Sequence, residues 1–266
     1  MKTTEKLILL ILLICLTILG CSKEENHYGT VDPESYNTNG DGGVIHSWID
    51  NFDSSATLET NWILYGNPQP KWEKSAFGKE GLINNNGPSP EKNYAVSTLK
   101  VGPGYFYMIE TDVMIKITNP DGTCVCPGIA LSKYEFPSLI NNEIQTCISL
   151  RIVYPGTNAT WYPADLRGHA WFIMDYMLDD ETVYSSSFVP ADYYINGWHT
   201  LKIIIPSTRN PMFFCDDLLL WAPSNKMYPI KTDKKIILGF TSAGDQETAA
   251  GVAYHNLVKV TFYTTQ

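Results

Sequence analysis

The chain has 266 residues, 19 basic and 28 acidic side chains, and a formal net charge of −9; seven Trp, sixteen Tyr and ten Phe make it 12% aromatic. That length is ordinary for a single all-β domain. The acidic balance excludes nucleic acid and an anionic membrane face as partners, because both select a positive surface.

At the N-terminus, Lys2 and Lys6 precede an apolar run from Leu7 to Leu19, followed by Gly20 and Cys21. The run is shorter than the ~20 apolar residues that span a bilayer, so it reads as a signal peptide over 1–20. Its ending, Ile18-Leu19-Gly20-Cys21, resembles the lipobox of bacterial lipoproteins. The resemblance implies that Cys21 becomes the lipidated N-terminus of the mature protein, palmitate included. Ser22-Lys23-Glu24-Glu25 resembles the tag that surface-exposed lipoproteins of the Bacteroidota carry after that cysteine. It implies an outer-membrane protein facing the exterior, touching the membrane through its lipid only. Read without the resemblance, the same residues are a solvated charge run.

Residues 21–44 form a tether rich in Ser, Glu, Asn, Asp and Gly, ending in Asn39-Gly40-Asp41-Gly42-Gly43. Such a composition buries too little to fold. As a flexible coil it reaches roughly 25 Å, enough to hold a domain clear of lipid headgroups. The domain proper occupies 45–266.

Within it, short alternating runs lie between Gly, Pro, Asn and Asp, and helical periodicity is scarce. Strands are expected at 48–53, 71–77, 80–85, 94–101, 105–117, 125–131, 146–154, 168–178, 182–187, 198–205, 211–215, 235–241 and 253–263. This many strands exceeds an immunoglobulin-sized domain and suits a two-sheet antiparallel jelly-roll sandwich, an all-β fold.

Three segments carry a family likeness. Gly197-Trp198-His199-Thr200-Leu201-Lys202-Ile203 resembles the Gly-Trp-His strand of concanavalin A-like lectin and laminin-G-like domains. Tyr254-His255-Asn256-Leu257-Val258-Lys259-Val260 resembles their last strand, and Ile49-Asp50-Asn51-Phe52-Asp53 their first, with which the last would pair. The likeness implies a fold that hosts lectins, binding modules and hydrolases alike, so it specifies architecture better than function. Related modules hold a structural calcium near those two strands through hard oxygen ligands, which implies Asp50, Asn51, Asp53 and Asn256. No other cofactor is expected.

Glycoside hydrolases of the laminarinase type share the fold, with Glu-x-Asp-x-x-Glu on one strand. Here the strand 105–117 offers Glu110 and Asp112 but no third carboxylate. A retaining mechanism needs two carboxyl groups ~5 Å apart, whereas positions i and i+2 of a strand lie about 7 Å apart. The nucleophile elbow, the zinc-protease helix and the phosphate loop are also absent from the sequence.

A binding face is better supplied. Alternation puts Arg167, His169, Trp171, Ile173 and Asp175 on one side of the strand 168–178. A sugar stacks its C–H face on an indole and hydrogen-bonds planar, multi-donor groups. If the strand 146–154 lies alongside, Arg151, His169, Trp171 and Asp175 line one concave patch. The same pattern also fits a solvent-facing sheet with a simple Arg151–Asp175 ion pair. Trp161-Tyr162, on the loop leading into that strand, is either pinned inward or offered to a ligand. The other five tryptophans, with His199 and His255, read as structural.

Cys124, Cys126, Cys147 and Cys215 remain after the first two cysteines, with three connectivities open if they form disulfides. The expectation is therefore a tethered, non-catalytic carbohydrate-binding lectin taking a polysaccharide or glycan. Its rivals are a hydrolase or polysaccharide lyase of the same fold and a protein-binding adhesive module.

Overall fold

The computed structural model describes residues 44–66, 69–84, 94–102, 106–132, 146–177, 184–206, 210–223, 233–239 and 249–263. The N-terminal stretch through Gly43, with Cys21, lies outside them. So do the side chains of His46 and Cys147.

Among the described residues, sixteen strands form two antiparallel eight-stranded sheets. Sheet I contains β1 (Val44–Asp50), β3 (Lys71–Ala76), β4 (Lys79–Asn84), β6 (Phe106–Ile117), β12 (Trp198–Ile205), β13 (Met212–Cys215), β14 (Leu218–Trp221) and β16 (Gly251–Tyr263). Sheet II contains β2 (Trp62–Tyr65), β5 (Tyr94–Val101), β7 (Cys124–Val125), β8 (Gly128–Ser132), β9 (Thr146–Pro155), β10 (Trp171–Met177), β11 (Tyr184–Pro190) and β15 (Lys234–Leu238). This is the jelly-roll sandwich anticipated from the spacing of the runs. As expected, the first strand pairs with the last, from Val44 opposite Tyr263 to Asp50 opposite Val258.

Period-2 alternation builds the core between the sheets. From sheet I come Tyr107, Ile109, Val113, Ile115, Leu201, Ile203, Val258 and Val260. They meet Ile129, Leu131, Ile148, Leu150, Ile152, Phe172, Met174 and Tyr176 of sheet II, none more than 1% exposed. At ~1.5–3 kcal/mol for each buried apolar side chain, this contact is the main stabilising term. Where β15 slips a register against β5, the Ile236 N–H is left without a ladder partner. The Ser97 hydroxyl accepts it at 2.9 Å and donates onward to the Leu99 carbonyl at 2.7 Å.

Four features depart from expectation. A short helix, α1 (Ser55–Asn61), follows β1; Ser54 caps it by accepting from the Thr57 N–H at 3.2 Å, and Leu58 is its one buried residue. β2 follows directly and β14 follows β13. The run 125–131 becomes β7 and β8, because Pro127 has no N–H for the ladder. Its carbonyl still accepts from Ile152, so both pieces keep one register against β9.

Candidate functional site

β9 and β10 lie side by side as the patch required, with Trp171 opposite Val153, Ile173 opposite Arg151 and Asp175 opposite Ser149. Ile148, Leu150 and Ile152 point into the core with Phe172, Met174 and Tyr176, so Ser149, Arg151, Trp171, Ile173 and Asp175 occupy the outer face of sheet II. Arg151 Nη2 donates to Asp175 Oδ2 at 2.6 Å, and Ser149 Oγ donates to the same oxygen at 3.1 Å. The pair is largely withdrawn from water, with side-chain exposures of 18% and 6%.

Gly128 of β8 stands opposite Arg151, and a Cβ there would come within 2.5 Å of Arg151 Cβ. Glycine is what lets the arginine stem cross the neighbouring strand. Beside the pair sits an apolar layer of Tyr94, Val96, Cys124, Cys126, Ala130, Val153, Ile173 and Ile237, against which Tyr65, Tyr162 and Trp171 pack. Cys124, Cys126 and Cys215 are buried thiols. Burial pushes the Cys126 thiol up, against the lowering pull of Arg151, so it is held protonated and is not a nucleophile. Burial, with the two cysteines, also pushes the Tyr162 phenol well above its usual value.

The loop 155–169 settles the aromatic pair by dividing it. Gly168, at φ +77°, closes the loop through its N–H on the Pro155 carbonyl at 2.7 Å. Arg167 clamps the interior, donating from Nε to the Tyr162 carbonyl and from Nη2 to the Thr160 carbonyl, both at 2.9 Å. Trp171 Nε1 donates to the Leu166 carbonyl at 2.9 Å. Tyr162 is thus turned onto the apolar layer, while Trp161 is 37% exposed with its ring centroid 6.1 Å away.

The turn also shortens the anticipated strand. β10 starts at Trp171, so Arg167 and His169 do not continue its outer face. His169 is exposed, its Nδ1 3.1 Å from Asp192 Oδ2, and the other Asp192 oxygen accepts from the Ala170 N–H at 2.7 Å. The structure therefore brings together Arg151, Asp175 and Trp171, sets Trp161 and Tyr162 on the adjoining loop, and leaves His169 outside the group.

Phe188 joins the face unanticipated: it pairs with Ile173 on β11 and is 49% exposed. The expected strand stopped at 187, one residue short of it. Alternation from Ser186 was the signal, since Ser186 pairs with Asp175. Among the described residues of the strands, Asp175 is the only carboxylate on this face.

Glu110 and Asp112 stand on sheet I, on its outer side. Glu110 faces Lys202 Nζ at 3.2 Å and Lys259 Nζ at 3.4 Å. Asp112 accepts from Lys79 at 2.5 Å and from the Thr200 hydroxyl at 2.7 Å. The two carboxylates are held by lysines of β4, β12 and β16.

Of the calcium set, Asp50 is 1% exposed and accepts from the Phe52 N–H, Asn61 Nδ2 and Trp62 Nε1 at 2.8, 2.9 and 2.8 Å. It ties β1 to α1 and β2. Asn51 and Asp53 are exposed, and Asn256 Nδ2 donates to the Glu80 carbonyl at 2.7 Å.

No protein-family model matches the chain, and no curated protein does. Solved structures do. LamA from Z. galactanivorans, a variant in complex with laminaritriose and laminaritetraose, aligns at TM-score 0.51 and 12% identity over 82% of this chain and 100% of that one. A glycoside hydrolase family 16 endo-glucanase from Bacteroides ovatus aligns at TM-score 0.51 and 10% identity, over 80% and 99%. The globular domain of T. cruzi calreticulin aligns at TM-score 0.54 and 8% identity, over 80% and 87%. At such identities the likeness is one of fold, and with the sheet order above it establishes a concanavalin A-like jelly roll.

Proposed function

We propose that this protein is a surface-tethered, non-catalytic glycan-binding lipoprotein whose binding face is the outer side of sheet II. The observation that carries the reading is that exposed Phe188 and half-buried Trp171 share the outer face of sheet II with the Arg151–Asp175 pair, with exposed Trp161 on the loop that leads into β10. Aromatic plates beside fixed polar groups suit a sugar ring, stacked on its C–H face and oriented through its hydroxyls. Asp175 is the one carboxylate of the described strands on that face, and Arg151 and Ser149 occupy it. That supports binding without hydrolysis, since a retaining pair needs a second carboxyl group ~5 Å away. The lipobox-like ending at Cys21 and the tag after it support the tether.

The second reading is a hydrolase of the same fold, favoured by the family 16 likeness and by carboxylates in 133–145 and 178–183, outside the described residues. One experiment separates them. The chain without residues 1–20, with Cys21→Ser, is screened on a glycan array that includes laminari-oligosaccharides, with calcium and with a chelator. Bound polysaccharides are then incubated and resolved for a product ladder. The expected result is binding without products, lost in Trp161→Ala and Phe188→Ala while circular dichroism is unchanged. A product ladder would establish the hydrolase, and a blank array from folded protein would overturn glycan binding. Labelled palmitate on the full chain, absent from Cys21→Ser, tests the anchor.

A further inference from the structure

On the opposite sheet, at the turn joining β13 to β14, three side chains of different chemistry converge. His199 begins the inward row of β12, Cys215 ends β13, and Asp216 opens the turn. A ring nitrogen of His199, Cys215 Sγ and an Asp216 carboxylate oxygen all lie within 4.8 Å of one another. We propose that these residues form a zinc-binding site, independent of the glycan face.

The backbone places each ligand. Asp216 and Asp217 both adopt positive φ, 48° and 64°, the pairing of a tight hairpin turn. The turn folds Asp216 back on β12: its N–H donates to the Thr200 carbonyl at 2.9 Å, and its Oδ1 accepts from the Thr200 N–H at 2.8 Å. With Oδ1 fixed, Oδ2 is aimed at His199 Nδ1, 2.7 Å away. The other ring nitrogen lies against Gly197, where a Cβ would approach Nε2 to 3.2 Å, so the ring presents Nδ1 to the cluster. Cys215 closes the cluster from below, fully buried beside Leu201.

The donor set selects the ion. One imidazole nitrogen, one thiolate and one carboxylate suit a borderline-soft dication rather than calcium or magnesium. Zinc accepts three protein ligands and keeps a fourth position for water. Two anionic ligands neutralise the dication, so the charge cost of a half-buried site is small. Without metal, Nδ1 carries a proton and donates to the Asp216 carboxylate. On binding, the imidazole takes the tautomer with its proton on Nε2, so that the Nδ1 lone pair meets the metal. The Cys215 S–H bond breaks as the Zn–S bond forms, releasing one proton to solvent. No electron changes hands.

The probe is Co2+, whose thiolate bond gives a near-ultraviolet charge-transfer band that carboxylate and imidazole alone do not. The mature chain, stripped with a chelator, is titrated with Co2+ and then with Zn2+. One equivalent of Co2+ should raise the band together with the intense visible absorption of a four-coordinate ion, and Zn2+ should erase both. Cys215→Ser should lose the band. Because a core substitution can unfold the protein, Asp216→Asn and His199→Gln are run beside it. Asp216→Asn keeps the Oδ1 acceptor for Thr200, and each should lose retained Zn2+ in equilibrium dialysis while glycan binding persists. A folded protein that gives no band, or a band that survives in Cys215→Ser, overturns the site.

Discussion

The Arg151–Asp175 pair makes the sharpest test of how the outer face of sheet II is built. Arg151→Met removes the guanidinium and leaves the Asp175 carboxylate, 6% exposed, without its charged partner. Asp175→Leu removes the guanidinium's carboxylate instead. Removing one partner of a buried pair costs about 3–5 kcal/mol, because the remaining charge stays desolvated. For a domain of this size that lowers Tm by roughly 10 °C, at 2–4 °C per kcal/mol. The double variant Arg151→Met/Asp175→Leu removes both charges and fills the space with apolar atoms, continuous with Ile173 and Val153. It should lie within about 1 kcal/mol of the parent. Urea denaturation of the four proteins gives the coupling energy directly, expected at about 3 kcal/mol or more. Single variants that each cost less than about 1 kcal/mol would refute the reasoning, since that is the range of solvated surface pairs, and the face would then be open to water.

Two further outcomes follow from burial elsewhere. His255 is fully buried, with Nδ1 3.1 Å from the Thr111 hydroxyl, and burial lowers its pKa from 6.5 to about 3. The unfolded chain therefore binds a proton below pH 6.5 that the folded one refuses. The contribution is whole above pH 6.5 and falls by about 1.4 kcal/mol per unit down to about pH 3. Between pH 7.5 and 5 the parent should lose about 2 kcal/mol more than His255→Gln in denaturant midpoints, and equal slopes would refute it. Gly128→Ala, whose methyl meets Arg151 Cβ and the Leu150–Arg151 backbone, should cost about 1–3 kcal/mol. A neutral result would mean that β8 and β9 move apart there freely.

Much of the sandwich was legible because its strands are half-buried, and alternation is the direct record of that. β6, β9 and β12 each write one apolar row for the core, β16 writes it as Ala253 and then Val258 and Val260 on either side of a bulge, and the first and last strands pair as their motifs imply. The misses have local causes. α1 spans Ser55–Asn61, under two turns, with Leu58 its only buried residue, so no period of 3.6 can register. β14 is a continuous apolar run, Leu218-Leu219-Leu220-Trp221, reached through Asp216-Asp217 rather than a glycine turn, which hid the hairpin. At the candidate face, the juxtaposition of Arg151 with Asp175 was readable from two alternating runs. The offset of His169 was not, because it depends on a left-handed turn at Gly168 and a hydrogen bond that the Ala170 N–H donates to Asp192, 22 residues later. Phe188 became visible only when strand pairing set it opposite Ile173.

The position of β16 has a consequence for how the protein comes into being. It pairs with β6 along one edge and with β1 and β4 along the other, so the last of the described strands is the one joining the two halves of sheet I. While Gly251–Tyr263 is still absent, β1 has nothing to pair with, and β3–β4 is a lone hairpin, a structure marginal by itself in water. The β1 and β4 ladders with β16 therefore wait on contacts as distant as Val44 with Tyr263, and such non-local pairing is slow. Sheet I is completed only once Gly251–Tyr263 is in place, and a chain truncated before Gly251 should remain a substrate for proteases however long it is given.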